Sequence, residues 1–297
     1  MTKSLPATPP AKPVSPLSKW LDPLLLLAPA GVWLVLLLVI PTLLIAQLSL
    51  VPNIVPGETV TPTGFDNYAL IFQPEALEVL GRSLGFSIMT TLTCVLLGFP
   101  VAYWLAVYVA KRWQNLLLLA FILPLWTSSL LRTFAWQSIL RRSGVLNTLL
   151  ESLGLPILDL LNRAPAVLIG MTYSLLPYMV LILYASLEKL DKRLLEASAD
   201  LGANPRQTFW QVTVPQTLPG IAAASLLVFI TSLGDFVNPD VLGGTSSMTI
   251  ARLVYNKFLG ATPNWGHGSA LSMILILAVS LAIALLIKYG DRNASSL

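Results

Sequence analysis

Cysteine and histidine are nearly absent from this sequence of 297 residues, in which Cys94 and His267 are the single examples of each. A lone cysteine excludes an intrachain disulfide, and one cysteine and one histidine far apart argue against a tetrahedral zinc site. The motifs HExxH and GxxxxGKS/T are also missing. We therefore expect no catalytic residue, no metal and no cofactor bound by this chain, and we predict that Cys94 is a small packing residue.

Charged residues are scarce as well. Asp, Glu, Lys and Arg make up 11% of the chain, apolar residues make up 55%, and the mean hydropathy is +0.75. Charged residues and histidine are missing from four long stretches, which lie between Asp22 and Glu58, Arg82 and Lys111, Arg163 and Glu188, and Arg206 and Asp235. A helix needs about 20 apolar residues to cross the hydrocarbon core of a bilayer. The pattern therefore predicts an all-α membrane protein, because a transmembrane barrel would show short alternating segments instead.

We predict about six transmembrane helices, at residues 24–50, 83–110, 115–138, 165–187, 219–241 and 268–288, within one transmembrane domain over residues 21–297. Residues 1–20 are rich in proline and polar side chains and are expected to be a disordered tail. Segments on the side of the N-terminus hold 11 of the 18 lysines and arginines, and segments on the opposite side hold 6. By the positive-inside rule, both termini are expected to be cytoplasmic. The net charge of +4 fits this bias and does not indicate nucleic-acid binding.

A polar segment, EASADLGANPRQTFWQVTVPQTLPG at residues 196–220, separates two of the apolar stretches. Asp191 is a candidate N-cap for a first short helix, and Gly202 suits a left-handed stop. Asn204 and Pro205 are typical of a second helix start, and we expect that helix to end or kink before Pro215, with Pro219 opening the fifth span. The loop, at about 188–218, is therefore predicted to be helix, glycine turn and helix on the cytoplasmic side.

Three interpretations of this loop compete. It can be an interfacial connector between two spans, or a docking element for a cytoplasmic partner that presents Glu196, Arg206 and apolar side chains. The third, a DNA-binding helix-turn-helix, is disfavoured because both ends are tethered to spans and few basic residues are present to contact phosphates.

The spacing of this loop resembles the signature of permease subunits of binding-protein-dependent ABC importers. That signature is Glu-Ala-Ala, three residues, Gly, nine residues, Ile, one residue, Leu-Pro. In this chain Glu196, Ala197 and Ser198 are followed by Gly202, and then by Val212, Val214 and Pro215. Ser198 replaces one alanine, and the valines replace isoleucine and leucine. The stretches LPLWTSSLLRTFAWQSIL (123–140), GVLN (144–147) and GDFVNPDVLGG (234–244) are similar to the spermidine/putrescine permease branch of this family.

The resemblance implies a type I importer permease fold, in which this loop is the coupling helix that fits a cleft on the ATPase subunit. The residues carried over to that role are Glu196, Ala197, Gly202, Arg206 and Pro215. The implied partners are an ATP-binding subunit dimer, a second homologous permease and an extracytoplasmic substrate-binding protein. ATP would be used by the partner subunit, the chain itself would not be an enzyme, and its place would be the bacterial inner membrane. The implied solute is a polyamine.

Arg132 and Asp235 are charged residues inside the predicted spans, and Asp240 lies at the outer end of the same span as Asp235. Such residues usually face a bundle interior, a cavity or a partner. Arg132 is a candidate for a structural ion pair with an aspartate. Asp235, and with it Asp240, is a candidate for lining the path of a cationic solute, although five residues on a helix lie about 140° apart. The two aspartates would share a face only if the helix broke at Pro239; otherwise Asp240 is solvated at the membrane surface.

Trp136, Tyr173 and Tyr178 could add cation–π contacts along the path, or could be ordinary packing and interfacial aromatics. Two alternatives to the polyamine importer stay open. One is an ion-coupled secondary transporter, and the other is an ABC permease for a different small solute. An intramembrane enzyme is disfavoured because HExxH is missing and the single histidine, His267, lies at the end of a loop.

Overall fold

The computed structural model describes residues 27–51, 64–261 and 263–294, and the regular elements in these ranges are helical. The predicted disordered tail at residues 1–20 lies outside them. In chain order the helices are α1 (Leu27–Ser49), α2 (Pro74–Val107), α3 (Lys111–Ile122), α4 (Ser129–Leu140), α5 (Val145–Ser152), α6 (Ala164–Glu188), α7 (Lys192–Asp200), α8 (Pro205–Leu233), α9 (Val237–Gly243), α10 (Ile250–Leu259) and α11 (Trp265–Ala294).

Helix α1 belongs, up to Gln47, to a separate unit and is described by itself. It is 23 residues long and apolar on all sides, with a π-helical turn at Val35–Val39. Its length and composition match the predicted first span, because about 20 apolar residues suffice to cross the hydrocarbon core.

The core of the second unit, from Leu48 onward, is built on α2, α6 and α8. Cys94, Ala102 and Leu105 of α2 pack with Met179, Val180 and Leu183 of α6 and with Ala224 and Val228 of α8, and all of these side chains are buried. Cys94 is the packing residue that was predicted, and its Sγ lies 3.8 Å from the carbonyl oxygen of Thr172. Helices α2 and α6 approach closely at Gly98, where a Cβ would lie 2.9 Å from Cγ of Met179.

A second buried cluster joins the other halves of α2 and α6 to α4 and α9, through Phe86, Leu140, Ala166, Val167, Met171 and Leu242. A third cluster packs α10 and α11 against the turn Leu70–Phe72. The outward faces of the long helices carry exposed leucines, valines and phenylalanines. An apolar exterior of this kind is expected where lipid replaces water as the solvent.

Five helices in the described residues are long and apolar enough to span a membrane, and the number is six if one bent pair of helices is a single broken span. The sixth corresponds to the predicted third span at 115–138, which is not one straight helix. Its two parts, Lys111–Trp126 and Ser129–Ser152, meet at 92°. The break follows from Pro124 inside the 3₁₀ turn Leu123–Trp126, after which Thr127 and Ser128 have extended backbones.

Helix α8 corrects the span start that was predicted at Pro219 and, of the two alternatives predicted before Pro215, it excludes the helix end. The helix neither ends before Pro215 nor begins at Pro219, because it continues from Pro205 to Leu233. A π-helical turn at Phe209–Thr213 lies just before Pro215, and this local change in the helix allows the proline to be included in it. The predicted fifth span at 219–241 is therefore two helices: α8 stops at Leu233, and α9 starts at Val237.

Candidate functional site

The first half of the polar loop is a capped helix followed by a left-handed glycine, as predicted. Asp191 is the N-cap of α7, and its carboxylate accepts a hydrogen bond from the backbone N–H of Arg193 at 3.0 Å. At the other end Gly202 has φ +82°, and its N–H donates to the carbonyl of Ala199. The N–H of Ala203 donates to the carbonyl of Ser198, which completes the Schellman pattern of a helix C-terminus.

The second half begins with a capping box. The side chain of Asn204 accepts a hydrogen bond from the N–H of Gln207, the side chain of Gln207 accepts one from the N–H of Asn204, and both distances are 2.9 Å. Pro205 occupies the first turn of α8, where its missing N–H costs nothing. Between Gly202 and Asn204 the chain therefore ends one helix and starts the next within three residues.

Two contacts hold this loop in shape. The hydroxyls of Ser198 and Thr208 lie 2.8 Å apart and link α7 to the first turns of α8. Ser198 stands where the importer signature has alanine, so the departure adds a hydrogen bond. The ring of Phe209 meets the rings of Phe99 and Tyr103 edge-on, at centroid distances of 5.7 and 5.2 Å. The loop is thus anchored on the end of α2.

The outward side of the loop is apolar and unusually exposed. Leu201 is 89% exposed and Trp210 is 63% exposed. A groove of about 650 Å³ runs between α7 and the start of α8, and its lining includes Leu194, Ala197 and Gly202. Arg206 and Pro215 are exposed nearby. We call α7, the Gly202 turn and residues 205–214 the coupling knob.

Glu196 lies on the other side of α7, beside a cavity of about 280 Å³. Lys111 at the start of α3 and Glu188 at the end of α6 line the same cavity, and they form an ion pair with Nζ and Oε1 2.9 Å apart. In the same cavity lining, the hydroxyl of Tyr184 donates a hydrogen bond to Oε1 of Gln114 at 3.2 Å. Sequence reasoning missed this group, because Lys111 and Glu188 are 77 residues apart and carry no local motif.

The second candidate site surrounds Asp235, in the break between α8 and α9. Its carboxylate accepts hydrogen bonds from the N–H groups of Val237 at 2.9 Å and Asn238 at 3.2 Å, and from Nδ2 of Asn238 at 2.6 Å. Asn238 is buried, and its Oδ1 accepts from the hydroxyl of Thr133 on α4 at 3.2 Å. Asp235 thus caps α9 and connects it to α4.

The structure places Asp240 apart from this group. A shared face required a helix break at Pro239, and the structure has none there: the chain breaks at Gly234 to Phe236, and Pro239 lies inside α9. The side chain of Asp240 is 50% exposed and pairs with Arg252, with an Nη2 to Oδ1 distance of 2.7 Å. Asp240 is therefore an ion-pair partner at the surface.

Arg132 does not form the predicted ion pair with any aspartate among the described residues. Its Nε and Nη1 atoms are buried and have no hydrogen-bond partner within that part of the chain. Of the two aspartates considered as its partner, Asp240 pairs instead with Arg252, which comes from α10. Sequence alone did not show that α10 folds back beside α9.

The aromatic candidates are only partly brought together. Trp136 of α4 and Tyr173 of α6 meet edge-to-face, with centroids 5.4 Å apart and planes at 69°. Tyr178 lies five residues further along α6, about 140° around the helix, and is 40% exposed. The described residues contain no group of three or more His, Cys, Asp or Glu side chains that could hold a metal ion.

Comparison with known proteins places these features in context. Residues 95–290 match the family described as "Binding-protein-dependent transport system inner membrane component". The spermidine/putrescine transport system permease protein PotB of Haemophilus influenzae is 39% identical over 254 residues, covering 84% of this chain and 88% of that protein. The inner membrane ABC transporter permease protein YdcU of Escherichia coli is 34% identical over 241 residues, covering 77% and 76% respectively. The crystal structure of a bacterial ABC transporter involved in alginate import has a chain with the same fold, with a TM-score of 0.72 at 17% identity, covering 93% of this chain and 96% of that one.

Proposed function

The chain belongs to the family of binding-protein-dependent transport system inner membrane components, and from this premise we propose that it translocates polyamines across the membrane as one permease of an ATP-driven importer. It is a multi-pass inner-membrane permease subunit and not an enzyme. An ion-coupled secondary transporter is not favoured. The polyamine assignment is supported by 39% identity to PotB over 84% of the chain and by a carboxylate at a helix break. An ABC permease for a different small solute is the second candidate, because the molybdenum transport system permease protein ModB of Mycobacterium bovis is 29% identical over 219 residues.

The observation that carries the mechanism is the continuity of α8. This single helix of 29 residues includes the second half of the coupling knob and the fifth span, and is about 44 Å long at 1.5 Å per residue. A partner that moves the exposed face around Leu201 and Trp210 therefore moves a membrane-spanning helix directly. The knob would dock into the ATP-binding subunit dimer, with Glu196, Ala197, Gly202, Arg206 and Pro215 on or beside the docking surface. Closure of that dimer, using ATP, would tilt α8 between inward-open and outward-open states.

The anchor of Phe209 on Phe99 and Tyr103 gives a route for this motion into α2. The Lys111–Glu188 pair gives a second route, because it joins the start of α3 to the end of α6 beside Glu196. This arrangement requires the knob on the cytoplasmic side, and therefore both termini there as well. The remaining partners are a second, homologous permease and an extracytoplasmic binding protein that delivers the solute.

Asp235 is the proposed solute contact. A carboxylate has about four lone-pair sites, and this one already accepts three hydrogen bonds from its own chain. One site is left for an ammonium group, which suits a path that must bind its solute weakly and release it. Trp136 and Tyr173, paired at 5.4 Å, are candidate cation–π surfaces, each worth on the order of 1 kcal/mol. Tyr178 would add a third such surface on α6.

Uptake of labelled spermidine by the reconstituted importer tests this proposal, with Asp240→Asn as the matched control for Asp235→Asn. Both changes remove one negative charge from the same short region. The Asp235 variant is expected to lose at least tenfold of the uptake rate, because the ammonium loses its carboxylate. The Asp240 variant should keep most of the rate, because that side chain pairs with Arg252 at the surface. Equal losses would contradict the path through Asp235, and stronger competition by an uncharged solute than by putrescine would contradict the polyamine assignment.

A further inference from the structure

Two arginines lie at one end of the α2–α6 pair, at the same level. Helices α2 and α6 run parallel, because Thr90 contacts Met171 and Cys94 contacts Thr172, residues that are 81 and 78 apart in sequence. Arg82 and Arg163 are also 81 residues apart. Each is the last charged residue before a charge-free stretch that runs to the other end of its helix. The two guanidinium groups therefore lie where the hydrocarbon core begins.

A pocket of about 460 Å³ opens between these two arginines. Arg82 and Arg163 line it at the beginning of the two helices, where Ser246 and Ser247 also line it. Phe86, Met89 and Leu168 line it further along the same helices. Its lining also includes Gly85, where a Cβ would meet no atom within 4 Å. The pocket is thus basic at the membrane surface and apolar at hydrocarbon depth.

Each arginine is held from outside the pocket by an acidic side chain four residues earlier. Arg82 pairs with Glu78, and Arg163 pairs with Asp159 at 2.7 Å. Neither acid lines the pocket. Both carboxylates are well exposed, at 71% and 59%, whereas the side chain of Arg82 is 28% exposed and that of Arg163 is 63% exposed. The Arg163 pair is therefore of the weak, solvent-exposed kind, and the acid of the Arg82 pair is largely in solvent. The ion pairs with Glu78 and Asp159 therefore orient the two guanidinium groups, and both groups can still bind an anion where they line the pocket.

We propose that this pocket binds one anionic phospholipid, with the headgroup phosphate between Arg82 and Arg163 and an acyl chain along Gly85, Met89 and Leu168. On the cytoplasmic side of membranes, basic pockets between transmembrane helices bind anionic headgroups, and the two arginines offer the same chemistry on the opposite side. Arginine contacts phosphate oxygens in a two-pronged geometry. An acidic loop of a protein partner would match the arginines but would leave the apolar wall unfilled. A lipid matches both parts of the pocket, because its anionic headgroup lies at the level of the arginines and its acyl chain lies at the level of the apolar wall.

Native mass spectrometry of the full chain tests the proposal, with phosphatidylglycerol titrated against a phosphatidylethanolamine background. Arg82→Gln with Arg163→Gln should lower phosphatidylglycerol retention at least tenfold. The control is Arg141→Gln with Arg142→Gln, which makes the same charge change at exposed positions that do not line the pocket. That control should retain the lipid.

A second variant probes the apolar wall without changing charge. Gly85→Leu fills open space in a helix, so the chain should still fold, and it should also lower phosphatidylglycerol retention at least tenfold. Full retention by Gly85→Leu, or equal binding of soluble glycerol phosphate, would reduce the site to an anion site and overturn the proposal. Unchanged lipid retention in the Arg82 and Arg163 variant, with loss of affinity for the binding protein, would assign the pocket to protein docking instead. The readout does not depend on transport, so it stands apart from the proposed function.

Discussion

Replacing Gly202 by alanine isolates the backbone geometry of the coupling knob. Gly202 has φ +82°, and a Cβ built at this position meets no atom within 4 Å. Within this chain the substitution therefore introduces no clash and removes no side-chain contact. Its effect on the free permease comes from forcing a residue with a Cβ into the left-handed region, which costs about 1–2 kcal/mol.

This free energy destabilises the observed conformation of the turn between α7 and α8 relative to other conformations of the same turn. If the ATP-binding subunits bind only the turn that the structure shows, then their affinity for the permease falls by the same free energy. Because about 1.4 kcal/mol corresponds to a factor of ten, a cost of about 1–2 kcal/mol predicts a loss of about 5- to 30-fold. Gly202→Asn should lose less, because asparagine tolerates left-handed φ better than other residues with a Cβ.

Affinity between the nanodisc-embedded permease and its ATP-binding subunits is the quantity to measure. Gly154→Ala is the matched control, because Gly154 has φ +71°, meets no atom within 4 Å and closes α5 with the same pair of hydrogen bonds. Its strain should match that of Gly202→Ala, while its effect on subunit affinity should be negligible. Unchanged affinity in Gly202→Ala, or an equal loss in Gly154→Ala, would refute the role of this turn in docking.

Three further predictions concern stability and packing. Ser198→Ala removes the 2.8 Å bond to Thr208 and should lower thermal stability by about 1 kcal/mol while leaving uptake intact; lost uptake would give Ser198 a role beyond the fold. Asn67→Ala removes two buried bonds, at 3.0 and 2.9 Å, to the carbonyls of residues 49 and 51. It should cost about 2–3 kcal/mol in thermal unfolding, and an unchanged melting temperature would contradict this. Gly220→Ala brings a Cβ against Ser186 and should destabilise the packing of α6 on α8. Adding Ser186→Gly should restore part of the loss, and no rescue would place the defect elsewhere.

The coupling knob was predictable because its determinants are local. A left-handed glycine, an asparagine N-cap and a proline in the first turn each act through a few neighbouring residues, so Gly202, Asn204 and Pro205 show their geometry in the sequence. The charge-free stretches were equally informative, since hydrocarbon excludes charge from whole segments of chain.

The misplaced features depend on packing or on long-range contacts. Pro215 sits inside α8 because a π-helical turn precedes it, and the break near Asp235 occurs where its carboxylate caps α9 rather than at a proline. The partner of Asp240 is Arg252, which is brought there by the turn between α9 and α10. These features could not be predicted, because no local sequence pattern links Asp240 to Arg252 or indicates where the helix breaks near Asp235.

We propose that this permease moves a polyamine with energy supplied by partner subunits. Spermidine uptake into proteoliposomes tests it most directly, using the chain with its second permease, ATP-binding subunits and binding protein. We predict accumulation only when ATP and the binding protein are both present, and none by this chain alone under an ion gradient. Spermidine accumulation by the isolated chain without ATP would contradict the proposal that partner subunits supply the energy.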